Sequence, residues 1–174
     1  AETIIALDTL YPIVEKVWQK TTLKNAIVTS IGEYASKTAI LPSESEQKPN
    51  VHSFQELLKE NMGAKPPKVS INPKEDLAAL QYTGGTTGTA KAAMLTHMNL
   101  VSNMVMFAAW IKGATAKETF LTALPLFHIY GMTTSMNVPI HLAANMVMLP
   151  RFDPLTALES IQKHKVTVFC GVPT

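Results

Sequence analysis

The sequence has a single cysteine, Cys170, so no disulfide forms within the chain, and a reducing compartment is the simplest reading. Cys170 lies in the apolar run "VTVFC" and reads as a small interior hydrophobe rather than a nucleophile. Metal-binding spacing is also missing. The five histidines, His52, His97, His128, His141 and His164, show no close pairing, and there is no cysteine pair to complete a zinc set. No G-x-S-x-G elbow occurs, which disfavours a serine hydrolase. No uninterrupted apolar run reaches the roughly 18 residues of a membrane-crossing helix. The start, "AETIIALDTLYPIVEK", is acidic early and has no basic region, unlike a signal peptide. Charge is sparse: charged residues make up 16% and the formal net charge is +2, with scattered lysines, which excludes a nucleic-acid footprint. Hydrophobic residues, at 47%, are abundant enough for a well-buried fold and argue against disorder.

At 174 residues the length suits one domain with a sizeable core. Ile4 to Leu7 is a short apolar run that fits a buried strand. Leu10, Ile13, Val14 and Val17 follow at helical spacing, and "NAIVTS" gives a second strand, a βαβ pattern whose strands would lie parallel. Pro42 to His52 is polar and turn-rich and reads as a surface loop. Ser53 and Glu56 match a capping box for a short helix, "SFQELLKE". The segment 63–76, with Pro66, Pro67 and Pro73, reads as an extended linker between residues 1–62 and 77–174.

Leu77 to Tyr82 reads as a strand, and "AAMLTH" as a short apolar segment ending on Thr96, a cap for the next helix. On that helix Leu100, Met104, Phe107, Ala108 and Ile111 form a wide apolar stripe. "TFLTALP" and "NMVMLP" are further strands. Asp153 and Pro154 open a helix expected to turn Leu155, Leu158 and Ile161 inward, and "VTVFC" closes the series. The expected fold class is therefore α/β, layered, with a mainly parallel sheet flanked by helices. A strand almost at the first residue, and a stop directly after a strand and turn, read as an excised piece of a larger domain. Most of the nine methionines fall in two stretches, 94–106 and 132–148. They fit adaptable core packing, with a pocket for a flexible apolar substrate as the weaker reading.

Between these strands lies "YTGGTTGTAK", with three glycines and four threonines in ten residues. Backbone N–H groups that converge on a phosphate need conformations that glycine adopts at low cost, and Gly84, Gly85 and Gly88 supply them. Thr83, Thr86, Thr87 and Thr89 add hydroxyl donors, and Lys91 adds a mobile positive charge suited to a polyphosphate. A Walker A loop is excluded, because Lys91 follows Ala90 and precedes Ala92. A dinucleotide fingerprint is excluded too: Thr83 holds the first glycine position, and an apolar strand rather than a helix follows.

"LQYTGGTTGTAKAAMLTH" closely resembles the phosphate-loop signature of the adenylate-forming, AMP-binding enzymes, which include acyl-CoA synthetases, luciferases and peptide-synthetase adenylation domains. The usual pattern is Tyr-Thr-Ser-Gly-Thr-Thr-Gly-x-Pro-Lys-Gly. Gly84 stands here for the serine and Ala90 for the proline, and with "AMLTH" these departures resemble the long-chain fatty acid–CoA ligase branch. Ala92 replaces a glycine, which would strain a positive φ but is harmless in a strand. "ALPLFHIYGM" resembles the family's next motif, and the closing "VFCGVPT" another family segment. The resemblance is strong from Pro73 to Thr174 and implies part of the family's large N-terminal domain.

The resemblance implies cofactor contacts from Thr83, Gly84, Gly85, Thr86, Thr87, Gly88 and Lys91, and catalytic roles for Lys91 and His128. It assigns substrate contacts to His128, Tyr130 and Gly131, with His128 beside the activated carboxylate and thioester channel. It implies a fatty acid, ATP with Mg2+, and coenzyme A as reactants. The acidic Mg2+ ligand, ribose-binding aspartate, hinge and C-terminal catalytic lysine of the family have no counterpart in this chain, so the chain alone is expected to be inactive. The residues leave open a carrier protein instead of coenzyme A as acyl acceptor, and a non-catalytic nucleotide- or partner-binding module. A cytoplasmic location with peripheral membrane contact, and self-association through an exposed sheet edge, are further expectations.

Overall fold

The computed structural model describes residues 1–34, 50–83, 91–111 and 113–173. They form an α/β fold of two compact units, Ala1–Lys68 and Val69–Thr174. In the first unit, β1 (Thr3–Leu7), β2 (Asn25–Thr29) and β3 (Val51–Ser53) make a parallel sheet in that order. Helix α1 (Tyr11–Val17) crosses between β1 and β2, the expected βαβ unit. The small strand β3 lies at the end of the stretch read as loop, while residues 42–49 of that stretch lie outside the described residues.

The core of this unit is Ala6, Tyr11, Val14, Ala26 and Val28, flanked by Trp18, Leu23 and Val51. The α1 stripe therefore differs from the expected one. Tyr11, Val14 and Trp18, at i, i+3 and i+7, face the sheet, whereas Leu10, Ile13 and Val17 are exposed. Aromatic rings at 11 and 18 reach the sheet from positions where aliphatic spacing alone gives the neighbouring stripe. Helix α2 (Phe54–Glu60) begins as expected at Ser53, whose hydroxyl accepts from the Glu56 amide at 3.4 Å.

The second unit opens with an antiparallel hairpin, β4 (Leu77–Thr83) and β5 (Lys91–Thr96). Helix α3 (His97–Trp110) follows without a break. Thr96 and Asn99 close a reciprocal cap: the Thr96 hydroxyl accepts from the Asn99 amide at 3.2 Å, and the Asn99 side chain accepts from the Thr96 amide at 3.0 Å. The expected stripe Leu100, Met104, Phe107, Ala108 and Ile111 is the half-buried side of this helix, while Val101, Val105 and Met106 are exposed.

Next come β6 (Thr119–Thr122), β7 (Asn145–Met148) and β8 (Val168–Phe169), a parallel sheet in the order β7-β6-β8. The central strand β6 is buried at all four residues. Between β6 and β7 runs α4 (Ile129–Gly131), a π-helical turn (Met132–Asn137) and α5 (Val138–Leu142). Helix α6 (Pro154–His164) connects β7 to β8. The Asp153 carboxylate caps it, accepting from the Thr156 amide and hydroxyl at 2.8 Å each. Those bonds hold the Asp153 carboxyl below its usual range, the backbone one most strongly. The inward residues of α6 are Ala157, buried, and Ile161, half-buried; Leu155 and Leu158 are exposed, contrary to expectation. Positions i and i+4 form the covered stripe here, and both leucines lie on the same flank of it, turned away from the sheet.

Candidate functional site

The site is built from the β4–β5 hairpin and the segment that leaves the carboxyl end of β6. Cross-strand pairing places Thr83 opposite Lys91, Tyr82 opposite Ala92, and Gln81 opposite Ala93. The Thr83 hydroxyl donates to the Lys91 carbonyl at 3.4 Å, which closes the neck of the connection between the strands. The connection itself, with Gly84, Gly85, Thr86, Thr87, Gly88 and Thr89, lies outside the described residues. A β-strand follows it, so the two excluded loop types stay excluded on local structure as well as spacing. Ala92 sits in β5, and the positive-φ residues other than glycine are Ala143 and Lys165 among the described residues. The alanine substitution there is thus free of strain.

Strand geometry decides which side chains share a face. Residues two apart in a strand point the same way, and directly paired residues on neighbouring strands do so too. Gln81, Thr83, Lys91 and Ala93 therefore project from one face of the hairpin, and Tyr82 and Ala92 from the other. The first face meets the segment ahead of α4: the Gln81 side-chain amide donates to the Phe127 carbonyl at 2.9 Å. Two stretches far apart in sequence, "QYT…K" and "PLFHIYG", are brought together by this bond.

His128 is the N-cap of α4, its Nδ1 accepting from the Tyr130 amide at 3.2 Å. A ring nitrogen that accepts carries no proton, so the neutral imidazole bears its hydrogen on Nε2, which is left as a donor. Tyr130 is 37% exposed and its carbonyl accepts from the Thr134 hydroxyl at 2.8 Å. Gly131 is buried, with ordinary helical φ of −62°. Space rather than conformation demands glycine there. A Cβ at this position would collide with the Pro125 carbonyl oxygen and lie 3.2 Å from the Leu124 Cβ. Gly131→Ala is expected to destabilise by about 1–3 kcal/mol in urea denaturation, through displacement of the chain ahead of His128. Unchanged stability would show that this segment shifts freely.

Behind α4, the π-helical turn is held by a buried polar cluster. The Thr122 hydroxyl donates to the Ser135 carbonyl at 2.9 Å, and the Thr133 hydroxyl to the Asn103 side chain at 3.1 Å. A π-turn misaligns its carbonyls, so the Thr122 hydroxyl that satisfies the Ser135 carbonyl helps to fix the turn in place. Beside the segment, residues at the carboxyl ends of β6, β7 and β8 line an apolar cleft of about 440 Å³, among them Leu124, Pro125, Phe152, Phe169 and Val172. In parallel α/β sheets that end is where ligands bind. Cys170, next to the cleft-lining residues, is half-buried. Among the described residues no three carboxylate, imidazole or thiol groups gather as a metal set, and no helix is long and apolar enough to cross a membrane.

Sequence reasoning missed Gln81. Nothing in its spacing marks it, since the partner is a backbone carbonyl 46 residues away.

The described residues thus bring together a strand hairpin with Thr83 and Lys91 at its neck and, beside it, a short helix capped by His128, within an α/β fold. The AMP-binding enzyme family model matches residues 3–174, and the chain belongs to that family. It is 39% identical to a long-chain-fatty-acid–CoA ligase of Bacillus subtilis (strain 168), over 98% of this chain and 32% of the relative. A long-chain-fatty-acid–CoA ligase of Salmonella typhimurium is 32% identical over 100% of this chain and 33% of its own length. Among solved structures, a long-chain-fatty-acid–CoA ligase from Archaeoglobus fulgidus superimposes with a TM-score of 0.73 at 27% identity, over 97% of this chain and 30% of that one. A luciferase from Phrixothrix hirtus has the same fold, with a TM-score of 0.73 at 18% identity, over 95% of this chain and 30% of that one. The chain spans about a third of the length of the curated relatives it matches.

Proposed function

We propose that this chain carries the phosphate loop and the acyl-side segment of a long-chain fatty acid–CoA ligase. The observation that carries the reading is the shared face of Thr83, Lys91 and Gln81, with the segment of His128 bonded to it. The similarity to long-chain-fatty-acid–CoA ligases supports a long-chain fatty acid as the substrate class, and the apolar cleft near Leu124 and Pro125 suits an acyl chain.

In the first step a carboxylate oxygen attacks the α-phosphorus of ATP and the bond to the β-phosphate oxygen breaks, giving acyl-adenylate and pyrophosphate. Negative charge grows on the leaving pyrophosphate. The Lys91 ammonium and the backbone and hydroxyls of 84–89 stabilise that charge, and the Thr83 hydroxyl joins them by turning its one proton from the Lys91 carbonyl to the phosphate. Nε2–H of His128 donates to an oxygen of the acid and holds it for attack. In the second step the coenzyme A thiolate attacks the acyl carbon, and AMP leaves. Mg2+ enters as part of the Mg–ATP substrate, and among the described residues no three carboxylate, imidazole or thiol groups gather to hold it.

The chain alone is read as inactive, because it spans a third of its relatives. ATP–pyrophosphate exchange across a panel of carboxylic acids tests the reading, using this chain and a full-length ligase that carries it. Exchange with long-chain acids in the full-length protein, and none in the chain, is expected. No exchange with any acid in either would move a non-catalytic phosphate-binding role to the front. Apolar side chains on the hairpin, Leu80 at 52%, Tyr82 at 66% and Met94 at 72% exposure, support self-association of the isolated chain. Light scattering is expected to show oligomers that grow with concentration, and a monomer throughout would contradict this.

A further inference from the structure

The peptide unit between Phe127 and His128 is fixed at both of its polar ends. Its N–H, that of His128, donates to the Pro125 carbonyl at 3.1 Å. Its C=O, that of Phe127, accepts from the Gln81 side chain at 2.9 Å, while the same Gln81 nitrogen lies 3.3 Å from the Tyr82 carbonyl. A peptide plane bonded on both edges cannot rotate, and its orientation sets the direction in which the His128 Cβ leaves the backbone. The ring is then held at Nδ1 by the Tyr130 amide, so its remaining freedom is small. The first of these anchors is local to the turn. The second comes from β4, and from the face that also carries Thr83 and Lys91. Ala93, opposite Gln81, presents only a methyl group and leaves the long amide room to reach across.

We propose that Gln81 is a positioning residue. Its amide locks the Phe127–His128 peptide to the hairpin, and so registers the His128 imidazole against the face that carries Thr83 and Lys91. The inference rests on the ligase reading for its consequence in catalysis, but the tether itself is a property of the fold. A hydrophobic side chain of the same length would fill the space and leave the Phe127 carbonyl without its donor. Glutamate would place an acceptor against an acceptor. Lysine would keep a donor within reach.

Two arms test it. In a full-length ligase carrying this sequence, Gln81→Met and Gln81→Glu are expected to lower kcat for adenylate formation about tenfold, the equivalent of one hydrogen bond. KM for ATP should stay within about twofold, because Lys91 and the loop are untouched, and Gln81→Lys should recover at least about a third of the rate. In the 174-residue chain, hydrogen exchange of the His128 and Tyr130 amides should accelerate about tenfold in Gln81→Met while the amides of β6 keep their protection. Wild-type kcat with unchanged exchange would overturn the proposal. So would equal losses in the methionine and lysine variants, or faster exchange that extends to β6, since each indicates general packing rather than registration. Should the unaltered ligase adenylate no acid at all, the functional reading fails. The exchange arm then still decides whether Gln81 tethers His128, and Gln81→Glu replaces Gln81→Met if the latter does not fold.

Discussion

Replacing Lys91 by alanine in a full-length ligase is expected to slow ATP–pyrophosphate exchange by about 10²–10³-fold, the loss typical of one preorganised charge-stabilising donor. Lys91 is exposed and pairs with Thr83 at the neck of the loop, so the fold does not depend on its ammonium. In the proposed reaction its charge acts where negative charge accumulates, on the leaving pyrophosphate. Fatty acid affinity, measured without nucleotide, should therefore stay within about twofold of the parent. A variant that exchanges at the parent rate would take Lys91 out of the phosphate site. One that loses fatty acid binding in parallel would place the lysine on the acyl side instead.

The second large effect is on stability. Phe120 is 1% exposed on β6, the strand with a neighbour on either side. Phe120→Ala is expected to lower the unfolding free energy of the chain by about 3–5 kcal/mol in urea denaturation, the sum of lost transfer energy and an uncollapsed cavity. Because whole domains are stable by only about 5–15 kcal/mol, that is a large share of the total. The change should also reach the site. Thr122, two residues along the same strand, bonds the Ser135 carbonyl and thereby seats the helical run that His128 opens. Phe120→Leu, which keeps most of the volume, should lose less than about 1.5 kcal/mol. A small effect from the alanine variant would show that β6 is not the centre of this unit's core.

Much of the fold was legible because it is local. Short apolar runs gave β1, β2, β4, β6 and β7, and side chains with fixed jobs gave the caps at Ser53, Thr96 and Asp153. What depended on partners distant in sequence was not. The apolar spacing of α6 was visible, but Leu155 and Leu158 are exposed while Ala157 is covered, because burial is set by what packs against a helix. The antiparallel pairing of β4 with β5 was hidden in a chain whose alternation of strands and helices reads as parallel. The π-helical turn left no trace either, since a shift of hydrogen bonds by one residue does not alter the apolar pattern.

For the site, residue types alone single out the loop and its lysine as candidates, because phosphate recognition uses a recognisable chemistry of glycine, hydroxyl and ammonium; residues 84–90 of that loop lie outside the described residues. His128 stood out through its surrounding motif. Gln81 did not, because a glutamine bonding a backbone carbonyl has no sequence partner to co-occur with.

In the proposed first step a carboxylate oxygen becomes bonded to the α-phosphorus of ATP. Carrying a heavy-oxygen label on both carboxylate oxygens of a long-chain fatty acid through one turnover, in a full-length ligase with this sequence, tests it most directly. Attack at the α-phosphorus followed by thiolysis at the acyl carbon leaves one labelled oxygen in AMP and the other in the thioester. That distribution is the expected result. Label in inorganic phosphate, with ADP as the nucleotide product, would mean attack at the γ-phosphorus and would contradict the account.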